Sequence, residues 1–181
     1  MWIGNKVNVM SMAKDKMVSA LSEQEIEEIE AEISHLPNRS AAAIDALKIV
    51  QSHRRWISDE SLSAIADLLQ MSTAELDGIA TFYSLIFRQP VGEKVIMVCD
   101  SVSCFLMDGE KVGESVKKKL GIEYGETTSD GKYTLLPVTC LGDCDHAPAM
   151  MIGDEEHHDL KPETVGKLFD DASKRSGDDA S

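Results

Sequence analysis

All four cysteines of the chain lie between positions 99 and 144, in two close pairs. Four residues separate Cys99 from Cys104, three separate Cys140 from Cys144, and 35 residues lie between the pairs. Four thiolates complete the coordination of a tetrahedral zinc ion or of an iron–sulfur cluster. The pattern therefore predicts one metal site, and a fold that builds it must bring two distant segments together.

The spacing within each pair bears on the identity of the metal. Zinc ribbons and knuckles usually pair cysteines two residues apart. Wider gaps suit a [2Fe-2S] cluster, because each iron is held by two thiolates and the ligand pairs lie at opposite ends. The residues alone leave three interpretations open: a cluster, which the spacing favours, a structural four-cysteine zinc site, and disulfides or unligated thiols. Disulfides are disfavoured because no signal peptide is expected and cytosolic cysteines are normally reduced.

Composition and charge limit the partners of the chain. With 181 residues, 43% of them hydrophobic, it can form one good core or two small domains. No stretch reaches the ~18 consecutive apolar residues of a membrane span, so no direct membrane insertion is expected. The formal charge of −14 argues against nucleic acid, because phosphate binding requires clustered Lys and Arg.

Residues 22 to about 88 follow a helical pattern and predict a bundle of four short helices. Capping boxes at Ser22-Glu-Gln-Glu25 and Ser72-Thr-Ala-Glu75 open the first and fourth helices. The second is predicted to begin near Ser40 and the third after Ser58. No polar constellation in this stretch suggests catalysis, which favours a packing and docking module. The apolar stripe predicted for the fourth helix consists of Leu76, Ile79, Tyr83 and Ile86.

The pattern changes after Gln89-Pro-Val-Gly-Glu93, which is the predicted domain boundary. Lys94 to Cys99 is apolar on both faces, as in a buried strand. Residues 110–120 have helical spacing, and Tyr133 to Thr139 read as a second strand. A strand, a helix and a strand form a crossover unit, so this half is predicted to be α/β.

Parallel strands would explain how the cysteine pairs meet. Cys99 ends the first strand and Cys140 follows the second, so both would lie at the same edge of the sheet, where open α/β sheets place their ligand sites. Gly142 allows backbone N–H groups to turn toward the sulfurs, and such bonds raise the reduction potential. Residues 91–181 carry 19 acidic and 10 basic side chains, a net of −9, which opposes reduction. We expect a low potential, in the range of plant-type [2Fe-2S] centres near about −400 mV.

Beyond the site, Ala149 to Ile152 is predicted to form a short strand, residues 157–160 its hairpin partner, and Pro162 to open a last helix. Residues 1–21 and 174–181 are expected to be disordered. The predicted architecture is a helical bundle over residues 22–90, assigned to docking, followed by an α/β domain over residues 91–173 that holds the metal.

Seven segments of the sequence carry a family resemblance. They are Ala46-Leu-Lys-Ile-Val-Gln51, Ala80-Thr-Phe-Tyr-Ser84, Phe87-Arg-Gln-Pro90, Cys99-Asp-Ser-Val-Ser-Cys104, Leu135-Leu-Pro-Val-Thr-Cys-Leu-Gly-Asp-Cys144, Pro148-Ala-Met-Met-Ile152 and Leu160-Lys-Pro-Glu163. From about Leu21 to Phe169, the chain resembles the thioredoxin-like [2Fe-2S] ferredoxin subunit of bacterial complex I, the NADH:quinone oxidoreductase.

The resemblance implies an electron carrier that has no substrate site of its own within the oxidoreductase. The residues that match the family's cluster ligands are Cys99, Cys104, Cys140 and Cys144, which would hold one [2Fe-2S] cluster in a thioredoxin-like domain. The implied partners are a flavin-bearing subunit, which binds NADH and FMN, and a large iron–sulfur subunit. The implied location is cytoplasmic, peripheral on the inner face of the bacterial membrane.

Other candidate residues are weaker. The sequence has no Gly-rich phosphate loop and no Ser-His-Asp set. His146 adjoins the second pair, but Rieske centres replace two cysteines by histidines rather than add histidines to four cysteines. His157 and His158 would face opposite ways in a strand and are interpreted as surface residues.

Two further function classes stay open at this level. The same module resembles the small diaphorase subunit of NAD-linked hydrogenases and formate dehydrogenases, which would change the electron acceptor but not the cluster. A purely structural zinc protein is the other alternative, and it would be colourless where an iron–sulfur protein is brown.

Overall fold

A computed structural model describes residues 20–169 of the chain. The fold separates into two units, Met1–Pro90 and Val91–Ser181. The first is helical, and the second combines a sheet with helices, as the α/β prediction requires. Among the described residues, no helix has both the length and the apolar character needed to cross a bilayer.

Four α-helices follow one another in the described part of the first unit. They are α1 (Glu23–Ser34), α2 (Ala43–Arg54), α3 (Asp59–Leu69) and α4 (Thr73–Phe82), with a 3-10 helix at Arg39–Ala42 between the first two. The capping boxes of α1 and α4 are both formed, and the Ser58 side chain caps α3. The four predicted helices are therefore confirmed.

Two predicted helix boundaries are wrong. The second helix begins at Ala43 rather than near Ser40, because Asn38 first caps a 3-10 turn by accepting a hydrogen bond from Ala41 N at 2.9 Å. The fourth helix ends at Phe82, because Tyr83 takes an extended conformation with ψ of 108°. Tyr83 therefore lies beyond the helical stripe on which it was predicted.

Side-chain hydrogen bonds hold the segment that follows α4. Gln51 donates to the carbonyl of Leu85 at 2.8 Å and accepts from Phe87 N at 2.7 Å. Arg88 donates to Asp77 at 2.9 Å. These partners are distant in sequence, so the helical periodicity does not predict the hydrogen bonds between them.

The helices enclose one hydrophobic core. Leu21 belongs to it with 1% of its surface exposed, so the predicted disorder of residues 1–21 is wrong at this position, whereas residues 1–19 and 170–181 lie outside the described part of the chain. Other large residues in this core are Ile29, Leu47, Val50, Ile57, Leu62, Ile65, Leu69 and Leu76.

A buried carboxylate in the helical unit is paired with a partly exposed arginine. Glu25 is 1% exposed and accepts two hydrogen bonds of 2.6 Å from Arg54, whose guanidinium also donates to Ser61. Burial raises the pKa of Glu25, but hydrogen bonds from Arg54 and Ser22 outweigh it and hold that pKa below its usual value. The carboxylate is thus ionised and fully partnered inside the bundle.

The second unit is built on a four-stranded sheet with the order β2-β1-β3-β4. Its strands are β1 (Lys94–Cys99), β2 (Tyr133–Val138), β3 (Met150–Ile152) and β4 (Glu155–His157). β1 and β2 run parallel, with Cys99 opposite Val138, and β3 is antiparallel to both β1 and β4. The predicted parallel crossover pair is confirmed.

Two helices connect β1 to β2. The longer, α6 (Gly109–Leu120), corresponds to the predicted helix, whereas the five-residue α5 (Val102–Leu106) was not predicted. The predicted hairpin partner of β3 was placed two residues too late: a tight turn at Gly153 and Asp154 starts β4 at Glu155 instead of residue 157.

The sheet unit has its own core, on which the end of the described chain packs. The last helix was predicted to open at Pro162, but residues 162–165 form a turn and the helical residues described are 166–169. Val165 and Phe169 are both buried in this core. The other buried members of this core are Ile96, Val98, Val112, Val116, Ile122, Leu135, Met150 and Ile152.

Candidate metal centre

The parallel strands bring the two cysteine pairs to one edge of the sheet. Cys99 is the last residue of β1, and Cys140 lies two residues after the end of β2. One backbone bond ties the two exits together, because Asp100 N donates to Val138 O at 2.8 Å, and another joins the end of β1 to the residue before β3, where Cys99 N donates to Ala149 O at 3.2 Å. The edge predicted for the site is therefore where the cysteines lie.

The first pair is buried. Cys99 is 5% exposed and Cys104, on the inner side of α5, is 1% exposed. Both belong to a small apolar cluster with Ala147 and Ala149, separate from the main core of the unit. Burial protects these two thiols from solvent.

A glycine that was not singled out from the sequence shapes this pair. Gly109 is buried at the start of α6, and a Cβ there would lie 2.6 Å from the carbonyl oxygen of Cys104. Since real Cβ atoms do not approach that closely, only glycine fits without moving the Cys104 backbone. In the sequence, Gly109 is one of 12 glycines, and no local pattern indicates that it lies against Cys104.

The second pair is exposed and close together. The Sγ atoms of Cys140 and Cys144 are 3.8 Å apart, and both residues are exposed. Gly142, with φ of +91°, donates its N–H to Cys140 Sγ at 3.3 Å. The prediction that this glycine turns a backbone donor toward the sulfurs is confirmed.

The two pairs influence each other. Burial raises the pKa of the Cys104 thiol, and the neighbouring Cys99 raises it further. Burial also acts to raise the pKa of Cys99, but hydrogen bonding with the side chain and backbone of Ser101, whose Oγ lies 3.4 Å from the Cys99 sulfur, leaves this pKa lowered. The pKa of Cys144 is raised, chiefly by its contact with Cys140 and in part by the charge of Cys99. Mutual repulsion among thiolates is the electrostatic pattern that a bound cation relieves.

The histidines near the site contact carboxylates. His146 Nδ1 lies 2.8 Å from Asp143 Oδ1, and this hydrogen bond, with the charge of Asp145, raises the pKa of His146. His158 is exposed and its Nδ1 lies 3.6 Å from the other Asp143 oxygen, whereas the His157 side chain is only 22% exposed. The interpretation of both as surface residues is thus wrong for His157, which is half-buried in β4.

An exposed apolar patch adjoins the cysteines. Phe105 and Leu106, which follow the buried Cys104 on α5, are 59% and 74% exposed, and Val102 and Met107 complete the patch. We call these four residues the α5 patch. It sits beside the exposed pair as well, because Ser103 of the same helix contacts Cys144.

The donor set fits a [2Fe-2S] cluster. It consists of four free thiols, grouped two and two and brought together by adjacent loops. The Gly142 N–H donates to Cys140 Sγ, and the Ser101 hydroxyl contacts Cys99 Sγ. Two ligands for each iron and hydrogen bonds to sulfur are what such a centre requires.

Comparison with known proteins points to the same kind of cluster. A family model described as thioredoxin-like [2Fe-2S] ferredoxin matches residues 10–173. The E subunit of the NADH-quinone oxidoreductase of Pseudomonas aeruginosa is 50% identical over 150 residues, which are 83% of this chain and 90% of the relative. The protein of the same name from Escherichia coli K12 is 48% identical over the same shares of both chains.

Solved structures share the fold. The air-oxidised NAD+-reducing [NiFe]-hydrogenase superposes with a TM-score of 0.62 at 19% identity, over 74% of this chain and 23% of that one. Its H2-reduced form gives a TM-score of 0.61 at 20% identity, over 71% and 22% of the two chains. With the family match, this likeness confirms the predicted thioredoxin-like α/β architecture.

Proposed function

The chain belongs to the thioredoxin-like [2Fe-2S] ferredoxin family, and on this premise we propose that it serves as the electron-carrying ferredoxin subunit of an NADH-quinone oxidoreductase. Cys99, Cys104, Cys140 and Cys144 are the proposed ligands of its one [2Fe-2S] cluster. The observation that supports this most directly is the meeting of the two cysteine pairs at one sheet edge, in a chain about half identical to such subunits of other bacteria.

The two cysteine pairs have different roles in the proposed site. A [2Fe-2S] cluster supplies reversible one-electron chemistry when bound. Cys99 and Cys104 anchor one end of the site in apolar surroundings, and the exposed Cys140 and Cys144 place the other end at the protein surface. Electrons can therefore pass to a partner without crossing the core of the unit.

The proposed partners are the flavin-bearing, NADH-binding subunit and the large iron–sulfur subunit of the same complex. The α5 patch supports contact at the cysteine site, because contiguous exposed apolar side chains mark protein interfaces. The helical unit offers a second such surface at Phe82, Tyr83 and Leu85, which are 81%, 43% and 51% exposed. With these partners, the chain would lie in the cytoplasm, held at the inner face of the membrane through the complex.

Metal analysis of the native protein tests the cofactor assignment. Anaerobically purified protein should contain two irons and two acid-labile sulfides per chain, with the EPR signal of a reduced [2Fe-2S] centre. Cys104→Ser and Cys144→Ser should each lose or destabilise the cluster. Stoichiometric zinc without iron would overturn the assignment.

Surface substitutions test the partner assignment separately. Phe105→Glu with Leu106→Glu should reduce recovery of the flavoprotein with this chain while leaving iron content unchanged. Phe82→Glu with Leu85→Glu applies the same change to the helical unit and tests its proposed docking role. Full recovery of the flavoprotein by both double variants would show that neither surface is needed to bind it. That result would leave the cluster assignment unaffected.

The alternative context is the diaphorase part of an NAD-linked hydrogenase or formate dehydrogenase. The hydrogenase likeness extends to the fold alone at 19% identity, against 50% for the oxidoreductase relative. Identification of the subunits that co-purify with the chain separates the two contexts.

A further inference from the structure

We propose that the exposed pair, Cys140 and Cys144, closes to a disulfide whenever the cluster is lost, and that this bond blocks reloading until it is reduced. The inference rests on the proposed ligand role of the four cysteines. It adds a redox control over cluster assembly that acts through only one of the two pairs.

Exposure singles out this pair. The two sulfurs are 3.8 Å apart, already in contact, and must approach to the ~2.0 Å of a disulfide bond. Both residues are exposed, so a small oxidant reaches them directly. Cys99 and Cys104 are equally free thiols, but they are 5% and 1% exposed within an apolar cluster.

The chain between the two sulfurs permits the movement. Gly142 lies midway, and a Cβ at this position would meet nothing within 4 Å, so the loop has open space around it. Its φ of +91° lies in the region that glycine adopts at no steric cost, so the backbone there can adjust. The buried pair is instead held against Gly109, where the backbone of Cys104 is tightly enclosed.

The oxidant we assign is a low-molecular-weight disulfide such as oxidised glutathione. One exposed thiolate attacks a sulfur of that disulfide, forming a mixed disulfide and releasing one thiolate. The other exposed thiolate then attacks the protein sulfur of the mixed disulfide and displaces the second small thiolate. Two protein thiols are oxidised by two electrons, the small disulfide is reduced to two thiols, and the two protons pass to the released thiolates.

The consequence is a chain that retains two of its four ligands. A cluster whose irons each require two thiolates cannot then be rebuilt, so reduction must precede loading. While the cluster is bound, its irons occupy the same sulfurs and protect them. The asymmetry between the pairs therefore makes cluster loss reversible only under reducing conditions.

Peptide mapping provides the test. Protein stripped of iron with a chelator under anaerobic conditions, and shown by circular dichroism to retain its fold, is treated with oxidised glutathione beside the cluster-loaded protein. The tryptic peptide 133–167 contains both exposed cysteines, and residues 95–111 contain both buried ones. We expect the stripped protein to lose two thiols, with an internal disulfide in peptide 133–167 and two alkylatable thiols in peptide 95–111. The loaded protein should lose none.

Variants and reloading complete the experiment. Cys144→Ser should stop at a mixed disulfide on Cys140, whereas stripped Cys99→Ser should still form the internal bond. Oxidised wild-type protein should fail to recover its visible absorbance with iron and sulfide until dithiothreitol is added. Four intact thiols, a disulfide in the buried pair or between pairs, or reloading without reductant would overturn the proposal. Because the thiol map does not depend on which metal the site holds, a zinc result would refute the proposed function without deciding this test.

Discussion

The two units of the molecule differ in how the charge of their ionisable groups is balanced. In the helical unit, the buried Glu25 is neutralised by Arg54, and every partner comes from the chain itself. In the sheet unit, four thiols meet, and the Ser101 hydroxyl beside Cys99 and the Gly142 amide beside Cys140 are both neutral. The charge of Glu25 is thus balanced within the chain, whereas Ser101 and Gly142 bring no positive charge to the thiols, and the metal of the proposed cluster would supply it.

Removing one buried cysteine of the proposed ligand set should give the largest effect and sharpen this contrast. Cys104→Ser should lose the cluster iron and raise hydrogen exchange at the β1 and α5 end of the sheet unit, while exchange in α1 to α4 stays unchanged. Phe105→Ser alters the neighbouring exposed residue and should retain iron. Equal loosening of the helical unit in Cys104→Ser would show that the two units are not independent.

Breaking the ion pair between Arg54 and the buried Glu25 should have the next largest effect. Arg54→Met leaves the Glu25 carboxylate buried without its cation, which should cost about 3 kcal/mol. Urea unfolding followed by Trp56 fluorescence in a Trp2→Phe background measures the change. The matched control is Arg39→Met, whose Glu30 partner is 43% exposed and whose loss should cost about 1 kcal/mol or less.

The same ion pair predicts the direction of a pH dependence. Pairing lowers the folded pKa of Glu25, so its stabilisation is present above the unfolded pKa of about 4.3 and is lost as the pH falls through the lower folded value. The deficit of Arg54→Met relative to wild type should therefore be larger at pH 7 than at pH 4. A deficit that is constant across this range would show that Arg54 stabilises by packing alone.

Two glycine-to-alanine changes should act with opposite sign in the two units. Gly109→Ala forces a methyl group against the Cys104 backbone and should cost about 1–3 kcal/mol, with faster iron loss to a chelator. Gly78→Ala, in α4, meets nothing within 4 Å and should stabilise the helical unit by about 0.5–1 kcal/mol. Iron retention by Gly109→Ala at the wild-type rate would contradict the tight approach described for Cys104.

The smallest expected effect is on the reduction potential. Gly142→Val strains a backbone with φ of +91° and weakens the N–H bond to Cys140, so the potential should fall by roughly 20–60 mV, the one-electron equivalent of one hydrogen bond. Gly125→Val is the matched control, because its φ is +89°, it also has open space, and its N–H donates to Leu135 O rather than to sulfur. Redox titration by EPR measures both variants. Equal shifts would show that the sulfur bond does not set the potential.

The sequence predicted those parts of the fold that repeat a local pattern. Capping boxes marked α1 and α4, and an apolar run followed by a cysteine marked β1 and the sheet edge. Parallel pairing then followed from topology, which is why the convergence of the cysteines could be predicted before the structure. The ligand assignment itself came from spacing and family resemblance and remains a proposal.

The missed features depend on contacts between distant residues. α5 has five residues, too few for a helical period, and β4 is set by a two-residue turn. The burial of Leu21 and the enclosure of Gly109 arise from packing that no local pattern contains. Burial also separated the cysteines into a protected and an exposed pair, although their spacings in the sequence are nearly alike.

The two edges of the sheet affect whether the chain aggregates before it joins its complex. The outer side of β2 is covered by residues 125–128, whose backbone bonds to Tyr133 and Leu135, and further along Pro137 has no N–H to offer. The opposite edge strand, β4, has three residues, two of them glutamates. Neither edge gives another polypeptide a long strand to extend. A copy synthesised in excess of its partners should therefore wait as a separate molecule, without joining others edge to edge into insoluble aggregates.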